Sequence, residues 1–126
     1  MKIRWTNTSI RLRITPPELA MLGMGETAEE SLWDGGWKIT ILPNAEATCL
    51  SFDGPSVSLY LSRIDYARLA APDAEGVYFH TEGTPRIRYF IEKDFPCAHP
   101  RPAEAMEPVT ETFIAPENFE ARKNAR

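Results

Sequence analysis

Polar and apolar residues alternate through Lys2-Ile3-Arg4-Trp5 and again through Ile10-Arg11-Leu12-Arg13-Ile14, the period of strands that bury one face. Asn7 lies between the two runs as a turn residue, so residues 2–14 predict a β-hairpin whose Ile3, Trp5, Ile10, Leu12 and Ile14 point to the core. The period then changes. In Thr15-Pro16-Pro17-Glu18, Thr15 supplies an N-cap hydroxyl, proline pre-sets the first helical turn, and Glu18 stands three residues on to close a capping box. Leu19, Met21 and Leu22 form the buried stripe of this helix, and Gly23 and Gly25 end it because glycine accepts left-handed backbone. Residues 27–33 and 37–42 predict a second hairpin across Asp34-Gly35-Gly36, with Trp37, Ile39 and Ile41 on one face of the returning strand.

The order returns at a constant shift of 47 residues, Ser9 to Ser56. Ile10, Leu12 and Ile14 become Val57, Leu59 and Leu61; Thr15 and Glu18 become Ser62 and Asp65; Ala20 and Leu22 become Ala67 and Leu69. Leu50 and Phe52 replace Ile3 and Trp5, and Asp53-Gly54-Pro55 supplies the turn. Ser62 and Asp65 open a helix that carries Tyr66, Leu69 and Ala70 and stops before Pro72. Val77 and Phe79 alternate across Tyr78, and Glu82-Gly83-Thr84-Pro85 turns into Arg86–Glu92, where Ile87, Tyr89 and Ile91 share a face. Universal capping rules make any two strand-to-helix transitions look alike. The matched turns before and hairpins after favour duplication. The pattern therefore predicts an α+β fold: a duplicated β-β-α-β-β unit, about eight mostly antiparallel strands with two helices, related by a pseudo-twofold axis.

A chain of 126 residues is too short for two independent cores. Residues 1–94 are accordingly expected to form a single domain built of repeats 1–43 and 47–94. Five of the 11 prolines (Pro96, Pro100, Pro102, Pro108 and Pro116) follow Phe95, which marks 95–126 as a Pro-rich C-terminal tail. Phe113, Ile114 and Phe119 give it apolar anchors, so partial docking is expected, with a strand over Val109–Ile114 and a helix over Pro116–Lys123.

Hydrophobic content of 43% with 25% charged residues is that of a soluble globular chain, and no apolar run approaches the roughly 18 residues of a membrane span. Met1-Lys2-Ile3-Arg4-Trp5 enters the alternation directly, with no secretory signal pattern, so a cytoplasmic location is expected. In that compartment Cys49 and Cys97 are expected as reduced thiols, one disulfide being the alternative. A formal charge of −4 opposes a general nucleic-acid binder, and neither nucleic acid nor membrane is expected as a partner.

The charge is unevenly spread. Lys2, Arg4, Arg11 and Arg13 precede the first acid, and on a hairpin with an apolar inner face they project together from the outer one. With Arg86 and Arg88 nearby they would form an anion cradle, because guanidinium groups grip phosphate or carboxylate in bidentate fashion; the plainer reading is a solvated, aggregation-resistant sheet face. The equivalent positions of the second unit are Ser51, Ser58 and Tyr60, so such a site is asymmetric.

Glu92-Lys93-Asp94-Phe95-Pro96-Cys97-Ala98-His99 packs acid, base, thiol and imidazole together. Cys97 and His99 are only two metal ligands where a structural zinc site needs four, and no metal or cofactor is expected. As a catalytic pair they lack an evident oxyanion hole. His80 has no partner in local sequence, and Glu29-Glu30, Asp73 and Glu75 occupy turn and strand-start positions. The glycines lack the spacing of either phosphate-binding loop. No catalytic residue is assigned.

Met1-Lys2-Ile3-Arg4 with Asn7-Thr8-Ser9-Ile10-Arg11-Leu12-Arg13, and Glu92-Lys93-Asp94-Phe95-Pro96-Cys97, resemble the start and the ending of a family of short bacterial proteins of unknown function. Ala98 stands where that pattern has leucine, and the tail beyond Arg101 departs from it. The resemblance implies a cytoplasmic bacterial protein, brings no activity, and draws attention to Lys93, Asp94 and Cys97. The functional expectation is a non-enzymatic module for a small anionic or aromatic molecule held between the halves near Arg4, Arg11, Arg13 and Arg88. The alternatives are a structural or interaction protein acting as a homodimer, and a small enzyme using Cys97.

Overall fold

A computed structural model of the chain describes residues 1–33, 35–95 and 112–114. It is an α+β fold with the elements β1 (Lys2–Thr6), β2 (Ser9–Ile14), α1 (Pro16–Gly23), β3 (Ala28–Ser31), β4 (Lys38–Ala45), β5 (Cys49–Asp53), β6 (Ser56–Ser62), α2 (Arg63–Ala70), β7 (Gly76–His80) and β8 (Arg88–Lys93). The strands form two four-stranded sheets, a first in the order β1-β2-β8-β7 and a second in the order β3-β4-β6-β5. Four pairings are antiparallel hairpins, and the central ladders β2/β8 and β4/β6 are parallel. Each sheet thus takes one hairpin from either half of the chain.

The register of β1/β2 repeats in β5/β6 at the shift of 47, while β4 recurs as β8 at a shift of 50. Lys2↔Arg13 through Thr6↔Ser9 in β1/β2 become Cys49↔Tyr60 through Asp53↔Ser56 in β5/β6. Across the central ladders, Ser9↔Arg88 and Leu12↔Ile91 correspond to Ser56↔Lys38 and Leu59↔Ile41. The second ladder slips between Leu42 and Ala45, where Asn44 takes a positive φ of 63°, a conformation asparagine accepts more readily than most residues.

Both helices are eight residues long and start at equivalent positions, Pro16 and Arg63. In α1 the capping box is complete: Thr15 Oγ1 accepts from the Glu18 N–H at 3.4 Å, and Glu18 Oε1 accepts from the Thr15 N–H at 3.0 Å. Gly25, at φ 84°, closes α1, its N–H and that of Glu26 donating to Leu22 O (3.1 Å) and Met21 O (2.9 Å). Asp65 in α2 is one methylene shorter than Glu18, and Thr48 fills the gap. The Ser62 N–H donates to Thr48 Oγ1 (2.9 Å), whose hydroxyl donates to Asp65 Oδ2 (2.6 Å), while Ser62 Oγ accepts from the Asp65 N–H (3.1 Å).

One cluster of buried side chains joins the sheets and helices, with Leu12, Ile14, Leu22, Ile39, Ile41, Leu59, Leu61, Leu69 and Ile91 almost fully enclosed. Leu19 and Tyr66 hold equivalent places in α1 and α2, and the Tyr66 hydroxyl donates to Leu19 O at 3.4 Å.

Several expectations need correction. Trp5 is 45% exposed and its counterpart Phe52 is 55% exposed, because these ends of β1 and β5 run past the core and no described element covers them. Trp37 precedes β4 and is 41% exposed, and the last strand begins at Arg88, leaving Arg86 in the preceding loop. Thr112, Phe113 and Ile114 are irregular where a strand was expected; the remainder of that strand and the expected helix over 116–123 lie outside the described residues, as do Cys97 and His99. Phe113 does touch the body, its N–H donating to Asp94 O at 3.0 Å and its ring 6.0 Å from that of Phe95.

Candidate functional site

Side chains alternate across a sheet, so packing Ile10, Leu12, Tyr89 and Ile91 inward turns Arg11, Arg13, Arg88, Phe90 and Glu92 outward. Register sets these into rows on the outer face of the first sheet. One row runs Arg4, Arg11, Phe90, Tyr78; its neighbours run Lys2, Arg13, Glu92, Gly76 and Thr6, Ser9, Arg88, His80. Arg4, Arg11, Arg13 and Arg88 therefore share a face that looks away from the core. They do not line a space between the halves, although the face itself is built from both.

Phe90 is the hub. The Arg11 and Arg88 guanidinium carbons lie 5.5 and 5.9 Å from its ring centre, within cation–π range, and the Tyr78 ring lies 5.4 Å away at 57°. Beside it, Glu92 Oε1 lies 2.6 Å from Arg11 Nε as an ion pair, and Glu92 Oε2 accepts from the Tyr78 hydroxyl at 3.3 Å. Burial, then the charge of Glu92 and the hydrogen bond to it, push the Tyr78 phenol above its ordinary value, with Arg11 opposing. Arg11 is thus committed to Glu92. Lys2 is committed as well, its Nζ 3.1 Å from Asp94 Oδ2. Among the described residues no carboxylate lies within 4.0 Å of Arg4, Arg13, Arg86 or Arg88.

The Glu92-Lys93-Asp94 run closes the end of the strand. Lys93 and Asp94 are 7% and 2% exposed. Lys93 Nζ donates to Ala71 O at 2.7 Å and lies 5.7 Å over the Phe113 ring; burial holds its amine below the usual lysine value, against the pull of Asp73. The Asp94 N–H donates to Ile14 O at 3.0 Å. Glu29 pairs with Lys38 at 3.2 Å and Glu30 with the Met1 amine at 3.2 Å. Cys49 is an exposed free thiol. Among the described residues no three His, Cys, Asp or Glu side chains cluster as metal ligands, and no helix is long and apolar enough to cross a membrane.

The corresponding face of the second sheet carries Ser51, Ser58 and Thr40 in its central row, and Lys38 there is the ion-pair partner of Glu29. Sequence reasoning missed Phe90 and Tyr78 as site residues. The signal was the alternation itself, since the parity that puts Tyr89 and Ile91 inside puts Phe90 outside. It also missed a cleft of about 260 Å³ at the ends of the central strands away from the helices, lined by Trp5, Trp37, Phe52, Ile87 and their neighbours. Trp5 and Trp37 meet there edge to face at 5.6 Å.

These features define an α+β protein of two interleaved four-stranded sheets with a cationic, aromatic face on one of them. The chain belongs to a family of unknown function, DUF7009, whose profile matches residues 1–112. No curated protein and no solved structure matches it.

Proposed function

We propose that this protein is a non-enzymatic module that binds a small anion on the outer face of the first sheet. The observation that supports it is the concentration of Lys2, Arg4, Arg11, Arg13 and Arg88 on one sheet of a chain with net charge −4, against a counterpart face where Cys49, Ser51, Ser58 and Tyr60 stand in place of Lys2, Arg4, Arg11 and Arg13 and Lys38 is paired with Glu29. Solubility alone does not require such a contrast between two sheets of matching register. Arg4, Arg13 and Arg88 have no carboxylate in reach among the described residues, so their guanidinium groups remain open to a ligand oxygen. Their contributions from both halves suit the reading that the halves are copies of one unit which diverged at the surface. The test is melting temperature at low salt with phosphate, pyrophosphate and citrate. The anions raise it in the wild type and leave Arg4→Gln/Arg13→Gln/Arg88→Gln unmoved; an equal response of both proteins, or of neither, rejects the reading.

A second reading, self-association, is favoured by the exposed aromatic lip of the cleft, where Trp5, Trp37 and Phe52 are 45%, 41% and 55% exposed. Sedimentation velocity that shows a monomer at every concentration removes it.

A further inference from the structure

We infer that the ligand is a nucleoside monophosphate, held in the hollow that Tyr78, His80, Arg86, Arg88 and Phe90 form at one edge of this face; the inference rests on the anion-binding reading and names its ligand. The hollow measures about 440 Å³, within the roughly 300–1,000 Å³ of sites that take small organic ligands.

Its lining divides into two chemistries. Phe90 and Tyr78, 5.4 Å apart and inclined at 57°, offer ring surface, and Tyr78 is 48% exposed. A flat heterocycle gains most from such a surface when a guanidinium lies alongside, and Arg88 does, 5.9 Å from the Phe90 centre. Arg86 and Arg88 supply the second chemistry, two guanidinium groups two residues apart, with His80 opposite Arg88 in the register. A phosphate monoester has the charge and the oxygen geometry to take a bidentate grip from either arginine.

The carboxylates nearby set the orientation. Glu92 lies on the far side of Phe90 from Arg88, and its pairing with Arg11 at 2.6 Å leaves that guanidinium unavailable to a phosphate. Glu82 lies 3.9 Å from His80 Nδ1 and is 94% exposed, on the solvent edge of the loop. The ring therefore sits against the exposed Tyr78 beside Phe90, and the phosphate over Arg86 and Arg88. A nucleic-acid strand fits less well, because strand binding needs a positive track along the backbone, and here Lys2 and Arg11 are neutralised by Asp94 and Glu92. The second sheet has nothing comparable: Thr40 stands where the first has Phe90, and Glu29 where it has Tyr78.

Isothermal titration of the full chain with AMP, adenosine, inorganic phosphate and a short single-stranded oligonucleotide tests this. AMP binds at least about tenfold more tightly than adenosine or phosphate. Arg86→Gln removes the advantage of AMP over adenosine; Phe90→Leu, which keeps an apolar residue at the hub, removes its advantage over phosphate. AMP binding no tighter than phosphate, with phosphate binding lost in Arg88→Gln, overturns the nucleotide assignment and leaves the anion reading in place. An oligonucleotide that outcompetes AMP overturns the single-ligand assignment. Absence of binding by both phosphate and AMP overturns the nucleotide assignment, and the anion reading falls with it when pyrophosphate and citrate also leave the melting temperature unmoved.

Discussion

Leu59→Ala probes whether the two halves share one core. Leu59 is 0% exposed and its equivalent Leu12 is 1% exposed; each stands in a central strand, paired in register with Ile41 and Ile91 respectively. Truncation removes three carbons, each worth about 0.8 kcal/mol of transfer free energy. The unfilled space adds about 24 cal/mol for each Å³ that neighbours fail to reclaim, so the expected loss lies in the range of about 3–5 kcal/mol. That is a large share of the roughly 5–15 kcal/mol that stabilises a domain. At about 4–8 °C per kcal/mol for a body of this size, melting falls by more than about 10 °C. Leu12→Ala loses a similar amount, while Ile64→Ala, at a position 70% exposed, changes stability by less than about 0.5 kcal/mol. Urea unfolding followed by tryptophan fluorescence and by far-ultraviolet circular dichroism gives one coincident transition in every variant, with the slope unchanged. Two transitions, of which Leu59→Ala moves only one, would refute the shared core.

Ser62→Ala removes the N-cap of α2 and lowers stability by about 1 kcal/mol, and Thr48→Val has an effect of the same order; because both act in one chain of hydrogen bonds, the double variant loses less than the two single losses combined, as chemical unfolding of the cycle will show. The phenol of Tyr78 titrates above its ordinary value of about 10 in the folded chain, so its stabilising contribution is complete below pH 10 and is lost as pH rises through the folded value. Tyr78→Phe therefore shows a shallower fall in melting temperature above pH 10 than the wild type; equal slopes would show that Glu92 and burial do not act on this group.

Local signals made most of the elements legible. Period 2 on both sides of Asn7 and of Asp53-Gly54 is enough to define two hairpins, and the Thr15–Glu18 and Ser62–Asp65 spacings define the starts of α1 and α2 to the residue. Other features depend on what comes from elsewhere in the chain. The parallel neighbours β2/β8 and β4/β6 carry no turn between them to announce the pairing. Trp5 and Phe52 have inward parity, yet whether inward means buried depends on an element lying over them, and among the described residues none does. Alternation gives no sign that Lys93 and Asp94 are buried, because their burial comes through contacts with Ala71, Lys2 and Ile14 from three separate elements or loops. The candidate site was half legible for the same reason: the outward direction of the arginines follows from alternation, and the meeting of Arg11 and Arg88 on Phe90 follows only from the sheet.

Interleaving the hairpins also orders the assembly of the fold. The second sheet lies within Ala28–Ser62, a contiguous stretch, whereas the first joins Lys2–Ile14 to Gly76–Lys93, from opposite ends of the described body. A chain emerging from the ribosome can complete the second sheet while the inner edge of β2 still waits for β8. During that interval Ser9–Ile14 is an open strand, the kind of edge that recruits a stray partner. Arg11 and Arg13 lie along it, so the same cations that shape the outer face of the finished sheet repel a second copy of the unfinished one.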